Sequence, residues 1–265
     1  MRVGVIGCGG RMGRAVLREI IAAPDLELVG GVERPDHPDL GRDLGLLVGE
    51  TACGLVVRDN ISELLTRAHV LIEFSTPEAS LEHARACAAR GRPLVVGTTG
   101  FSPEQDRELS QLAEHFPLLL APNMSLGVNL LLALTEQVAR ALGPDFDIEI
   151  LEMHHRGKVD APSGTALALG RAAATGRGVR LEDAAVRVRD GFTGPRARGS
   201  IGFAALRGGD VVGDHAVIFA GEGERLVLQH LASDRRIYAR GALAAARWLS
   251  GRAPGRYGMR DVLGV

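Results

Sequence analysis

The chain has 265 residues, of which 46% are hydrophobic and 24% charged, and its formal net charge is −1. That is the make-up of a globular protein with one large domain or two modest ones. A near-neutral balance with scattered arginines excludes the charged footprint of a nucleic-acid or anionic-membrane binder. No apolar run approaches the ~18 residues needed to span a bilayer. The apolar stretch over 3–6 runs straight into glycines, without the longer apolar region of a secretory signal, so a cytosolic protein is expected. Cys8, Cys53 and Cys87 are an odd number at wide spacing, forming neither a disulfide framework nor a zinc pattern.

In chain order the pattern predicts a strand over 2–6, a helix over 11–23 stopped by Pro24, and a strand over 27–32. A short helix over 61–67 follows Asn60, and a strand covers 70–74. A helix over 77–90 opens with Thr76 and Pro77, and a strand covers 94–97. A helix over 102–115 is capped by Ser102, with Pro103 and acidic residues in its first turn, and a strand covers 118–121. Strands alternating with helices predict parallel βαβ units in a doubly wound sheet. After about residue 126 the pattern changes. A long apolar helix over 127–142 leads to a strand over 146–154 and a helix over 163–174. Strands over 186–189, 200–206, 215–220 and 225–230 then suggest a mostly antiparallel sheet. A helix over 234–250 closes the pattern. The expected fold is α/β, a Rossmann-type doubly wound parallel sheet with a second α+β mixed-sheet domain.

The first strand runs into Gly7-Cys8-Gly9-Gly10-Arg11-Met12-Gly13 and then a helix. Gly7 permits a tight turn, Gly9 or Gly10 lets the backbone approach a pyrophosphate, and Gly13 lets the helix lie close on the strand. The helix N-terminus offers N–H groups to phosphates. The strand–turn–helix context favours a dinucleotide site over a plain turn. At the end of the second strand, Glu33 can accept from ribose hydroxyls and Arg34 can pair with a 2′-phosphate, so NADH or NADPH is expected. Phe74-Ser75-Thr76, Gly97-Thr98-Thr99-Gly100 and Ala121-Pro122-Asn123-Met124-Ser125 follow later strands, where ligands of open α/β sheets bind. Ser75 and Thr76 could equally cap the next helix.

The densest chemistry lies between Glu152 and Ala166, which holds two adjacent histidines and Lys158. Lys158 is the only lysine beside 30 arginines. An ammonium can give up its proton near working pH and a guanidinium cannot, so an arginine-biased chain that keeps one lysine here has a chemical reason to do so. Adjacent histidines at a strand end point to opposite sides and need different roles, one in proton transfer and one on substrate. A metal site lacks a third ligand at suitable spacing, and none is expected. Backbone N–H groups of Gly164 and Thr165 would make a pocket for a carboxylate, while Ser163 could simply cap the helix.

The glycine loop, Gly97 to Gly100, Asn123 to Asn129, the segment Glu152 to Ala166 and Gly213-Asp214-His215 resemble the dihydrodipicolinate reductases, over about residues 3 to 248. The string His-His-x-x-Lys-x-Asp-x-Pro-Ser-Gly-Thr-Ala is highly specific. The resemblance implies a Rossmann domain over 1–126 plus 234–265 and a substrate-binding, oligomerisation domain over 127–233 in a homotetramer. It implies NADH- or NADPH-dependent reduction of 4-hydroxy-tetrahydrodipicolinate, via dihydrodipicolinate, in the diaminopimelate route to lysine. Gly7, Cys8, Gly9, Gly10, Arg11, Met12, Glu33, Arg34, Gly97, Thr98, Thr99, Ala121, Pro122, Asn123 and Met124 would contact the cofactor. His154 would be a proton donor or acceptor and Lys158 the proton donor. His155, Ser163, Gly164 and Thr165 would hold a cyclic dicarboxylate. Met124 stands where many relatives carry an aromatic residue, which puts the nicotinamide packing in doubt. Rival readings are another Rossmann oxidoreductase or a non-catalytic dinucleotide sensor. An aspartate-semialdehyde dehydrogenase needs a cysteine in its second half, and none lies there; a sensor leaves the His-His-x-x-Lys segment without a purpose.

Overall fold

The computed structural model describes all 265 residues. They form two compact units, Met1–Leu126 with Arg236–Gly264, and Gly127–Arg235 with the last residue. In the first unit the chain runs through β1 (Arg2–Ile6), α1 (Arg11–Ala22), β2 (Glu27–Val32), α2 (Leu44–Leu47), β3 (Val57–Arg58), α3 (Ser62–Arg67), β4 (Val70–Glu73), α4 (Pro77–Ala88), β5 (Leu94–Val96), α5 (Pro103–Leu112) and β6 (Pro117–Leu120). The second unit holds α6 (Leu126–Leu142), β7 (Asp147–His154), α7 (Gly164–Arg177), α8 (Leu181–Ala184), β8 (Ala185–Val186), β9 (Ile201–Arg207), β10 (Gly213–Gly221) and β11 (Glu224–Ala232). The chain then returns to the first unit with α9 (Arg236–Leu249), β12 (Gly255–Tyr257) and α10 (Met259–Leu263).

The first sheet has seven strands in the order β12-β6-β5-β4-β1-β2-β3, and every pair is parallel. Strand order reverses at β1, so the neighbouring ends of β1 and β4 form a crevice. Helices cover both faces, which is why β4 and β5 are buried at every residue. One face packs Val16, Leu17 and Ile20 of α1 with Ala242, Ala246 and Leu249 of α9. The other packs Leu64, Leu81 and Leu109 of α3, α4 and α5 with Phe116. Local signals set the helix starts. Ser102 and Gln105 form a reciprocal capping box on α5, with Pro103 in its first turn. Arg247 of α9 clasps Asp25 through two bonds of 2.7 and 2.8 Å, tying the returning helix to its unit. No helix is long and apolar enough to cross a membrane.

The second sheet has five strands in the order β11-β10-β7-β9-β8. It is mixed rather than mostly antiparallel. β10 pairs antiparallel with β11 and β7, whereas β9 runs parallel to β7 and β8. The connection from β7 to β9 passes through α7, and a helical crossover is what parallel pairing requires. The strand expected over 186–189 shrinks to Ala185–Val186, because β8 pairs with β9 at two residues only. β7 alternates half-buried and buried residues along its whole length. α7 covers one face with Ala166, Leu169 and Ala173, among a core that includes Ile148, Ile150, Phe203, Val217 and Phe219. Any Cβ at Gly170 would meet the Phe203 ring at 2.5 Å, so this glycine lets α7 lie close on the sheet.

Candidate active site

In the first unit, backbone atoms shape the site. Gly7 ends β1 with φ 73°, and a Cβ there would collide with the Phe74 carbonyl at the end of β4. A Cβ at Gly13 would overlap the Gly7 carbonyl. These glycines therefore permit the turn and the close helix that the spacing predicts. The two middle glycines differ. Gly9 lies under the His37 imidazole, which occupies the space of any side chain, whereas a Cβ at Gly10 would meet nothing nearer than 3.4 Å. Gly10 also starts α1 without a side-chain cap, leaving the helix N-terminus to an anion. The backbone is thus open at Gly10 and covered at Gly9.

A cleft of about 920 Å³ opens here, lined by Gly7, Gly10, Glu33 and Arg34, together with His37, Asn60, Phe74, Ser75, Thr76 and His83. Its volume suits a cofactor-sized ligand. Glu33 Oε1 accepts from the Gly9 N–H at 2.8 Å and Oε2 from the Arg34 N–H at 3.2 Å, so the carboxylate is fixed by the loop it borders. Cys8 turns its side chain into the core, and burial pushes its thiol up to about 12. Only its backbone belongs to the loop. Arg11 is exposed and Met12 half-buried at the start of α1.

The later strand ends hold a feature that the sequence reading passed over. Glu73, the last residue of β4, is fully buried. It accepts hydrogen bonds from the Ser75 hydroxyl, from Ser80 at 2.6 Å and from Thr98 at 2.9 Å. The Thr98 hydroxyl also accepts from the Ser75 N–H at 3.0 Å. Thr98 is thus bound inward, while Thr99 is exposed. Gly97 exists because the Phe74 ring fills the place of a side chain. Ala121 and Met124 are buried, Pro122 is exposed, and Asn123 Oδ1 accepts from the Ser125 N–H at 2.9 Å.

In the second unit, charge shapes the site. Alternation along β7 puts Glu152 and His154 on one face. The Glu152 carboxylate is 1% exposed and meets four donors. Oε2 accepts from Arg207 at 2.7 Å and from His154 Nδ1 at 2.6 Å; Oε1 accepts from Arg207 at 2.9 Å and from the Ser163 N–H at 3.1 Å. Four donors use the full acceptor capacity of a carboxylate. Burial by itself raises the Glu152 pKa, but the bonds from Arg207 and His154 outweigh it and hold the group below its ordinary value. His154 is 9% exposed.

Ser163 caps α7 by accepting from the Ala166 N–H at 3.1 Å, and its Oγ lies 2.9 Å from His215 Nε2. His215 meets the His154 ring edge-on, with centroids 5.1 Å apart. Burial, and then the neighbouring His154, lower its pKa from 6.5 to about 4, so it is neutral near pH 7. Ser163 was expected on substrate. It is 2% exposed, with its hydroxyl on His215 and on the first turn of α7. Gly164 beside it is exposed with open space around its Cα, and Thr165 is half-buried. His155, one residue past β7, lies 3.5 Å from Arg235. Lys158 Nζ donates to both Asp160 oxygens, at 2.7 and 2.9 Å, and this bond holds the Asp160 carboxyl below its ordinary value. The ammonium thus rests against a carboxylate.

Glu152, Arg207 and His215 were missed as site residues. Arg207 lies 55 residues from Glu152, and only the pairing of β7 with β9 brings them together. The acid two residues before His154 was the one local signal.

A parallel sheet with strand reversal at a glycine turn, a cleft at that reversal and a separate unit carrying histidines, a lysine and a capped helix end define a nicotinamide-dinucleotide oxidoreductase. The N-terminal model of dihydrodipicolinate reductase matches residues 1–124 and the C-terminal model residues 127–263. A 4-hydroxy-tetrahydrodipicolinate reductase of Brucella abortus is 53% identical over 262 residues, 98% of each chain. One of Ruegeria pomeroyi is 54% identical over 98% of this chain and 97% of its own. A dipicolinate-bound dihydrodipicolinate reductase from Paenisporosarcina sp. TG-14 superposes with a TM-score of 0.80 at 26% identity, covering 98% of both chains. The chain belongs to the dihydrodipicolinate reductase family, and its cofactor is NAD(P)H.

Proposed function

We propose that this protein reduces 4-hydroxy-tetrahydrodipicolinate, by way of dihydrodipicolinate, to tetrahydrodipicolinate in the diaminopimelate route to lysine. The first unit is the dinucleotide-binding domain and the second the substrate-binding and oligomerisation domain. NAD(P)H, when bound, supplies the hydride. Gly7 and Gly10 shape the phosphate turn, Glu33 takes the adenosine ribose, and Arg34 is placed for a 2′-phosphate. The loops at Gly97–Thr99 and Ala121–Met124 border the nicotinamide. Gly164, Thr165 and His155 hold a carboxylate of the cyclic substrate at the start of α7. Loss of water leaves a conjugated imine, and its reduction calls for one proton as well as a hydride. His154 or Lys158 delivers that proton. The observation that carries this reading is the clustering of His154 and the capped end of α7 around one buried carboxylate, with the lone lysine close enough to act electrostatically on His215.

Following oxidation of NADH and of NADPH with freshly made synthase product tests the reading. Substrate-dependent oxidation of either supports it, and none with either cofactor overturns it. We further propose a cytosolic homotetramer. Edge strand β11 exposes Val227 and Leu231 on one face of the sheet, apolar side chains that a second copy would cover, and Leu226 on the other. Native mass spectrometry reads the copy number directly.

A further inference from the structure

We propose that Glu152 is a positioning residue for proton transfer, fixing His154 with a proton on Nδ1 and coupling that imidazole to the capped end of α7. The proposal rests on the reading that His154 carries the proton. The geometry is specific. A carboxylate only accepts, so the 2.6 Å approach of His154 Nδ1 puts a hydrogen on that nitrogen and leaves Nε2 for exchange with a ligand. Nε2 has room on one side because residue 213 is glycine; a Cβ there would sit 2.9 Å from it.

Arg207 makes Glu152 immobile. Its two parallel bonds fix the carboxylate plane, and its Nη2 also donates to the Asp160 carbonyl at 2.7 Å. The same carboxylate takes the Ser163 N–H, so the imidazole and the start of α7 share one anchor. A substrate held at that helix end and a proton carried by His154 are thereby kept in register.

The proton cycle balances. With Nδ1–H held by Glu152, Nε2 takes a proton from solvent, giving an imidazolium beside a carboxylate. Nε2 then gives that proton to the reduced substrate, and the neutral imidazole keeps its proton on Nδ1. The titratable groups in contact with His154 are Glu152 on its own strand and His215 on β10; behind them Arg207 on β9 binds Glu152, and Lys158 in the following loop and His230 on β11 act on His215. His215 is neutral in the working range, so Glu152 is the group that stabilises the imidazolium.

The test is a double-mutant cycle with Glu152→Gln and His154→Gln, read as kcat and KM separately. Glu152→Gln is expected to lower kcat about 100-fold, a typical size for general acid–base catalysis, with KM changed by less than about threefold. In the His154→Gln background the same change should cost less than about threefold, because a residue acting through another has no separate effect. A purely structural role would multiply the two losses, and that result overturns the proposal. So does parental kcat in Glu152→Gln while His154→Gln is impaired. Parental kcat in His154→Gln removes the proton-carrying reading itself, and the proposal with it. Nitrogen-15 spectra of histidine-labelled protein, which need no variant at position 152, should show the neutral His154 ring protonated on Nδ1. A proton on Nε2 instead overturns the assignment even if the glutamine variant fails to fold.

Discussion

The ends of β1 and β7 differ in how they prepare for an anionic ligand. At β1 the work falls to missing side chains: Gly7 and Gly13 admit a turn and a close helix, and Gly10 leaves a helix start open. At β7 it falls to side chains that are buried and paired: Glu152, Arg207, His154, Ser163 and His215 form one connected set. A cofactor that every turnover reuses needs shape and dipole, which backbone supplies without titrating. A substrate that must receive a proton needs groups that can change charge, and these hold their geometry only when their partners are fixed.

The largest expected effect breaks the backbone half of that contrast. Gly13→Val puts a branched side chain into the Gly7 carbonyl, and NADH affinity by fluorescence titration should fall more than about 100-fold, the scale of strain that backbone cannot relieve. A variant that still binds would show that the loop adapts. Next is Lys158→Arg, which keeps the charge and loses the transferable proton. Its kcat should drop by about 10²- to 10⁴-fold with NADH binding retained; parental turnover would defeat the assignment of Lys158.

Third is the pH dependence of the charged half. The folded pKa of His215 lies at about 4, below the ordinary 6.5. Its neutral burial therefore stabilises the fold fully above pH 6.5, and this contribution is lost as the pH falls toward 4. At about 1.4 kcal/mol per unit the loss is about 3 kcal/mol. Urea unfolding of the parent should weaken across that window, and His215→Asn should flatten the slope; equal slopes would remove His215 as the cause. The smallest effect is Ser163→Ala, which removes the α7 cap and the partner of His215 at about 1 to 2 kcal/mol. Thermal melts should show the loss, and KM for substrate should rise more than KM for NADH.

The parallel sheet was legible because burial on both faces writes continuous apolar runs such as residues 70–72 and Leu94–Val96 between capped helices. β3 and β12, of two and three residues, left too little pattern to read. In the second sheet the strand pattern by itself read as mostly antiparallel, and the mixed character was expected only through the family resemblance. Strand signals carry no direction, and the parallel pairing of β7 with β9 follows from the crossover through α7. His154, Lys158 and Gly164 could be picked out because they crowd into one segment. The Glu152–Arg207 clasp and the Ser163–His215 pair could not, since each joins residues more than fifty positions apart. Glu73 read as the end of an apolar strand, and nothing local marks it as the hub of three hydroxyls.

Lys158 carries the only side-chain amine in the chain. Reductive methylation with labelled formaldehyde would therefore place a carbon-13 reporter at one side chain, inside the candidate site, without mutagenesis. Because the amine keeps its ability to hold a proton after methylation, its resonance can be followed as dinucleotide and dicarboxylate are added. The displacement of Asp160 from the ammonium would then be visible in a spectrum with almost no background.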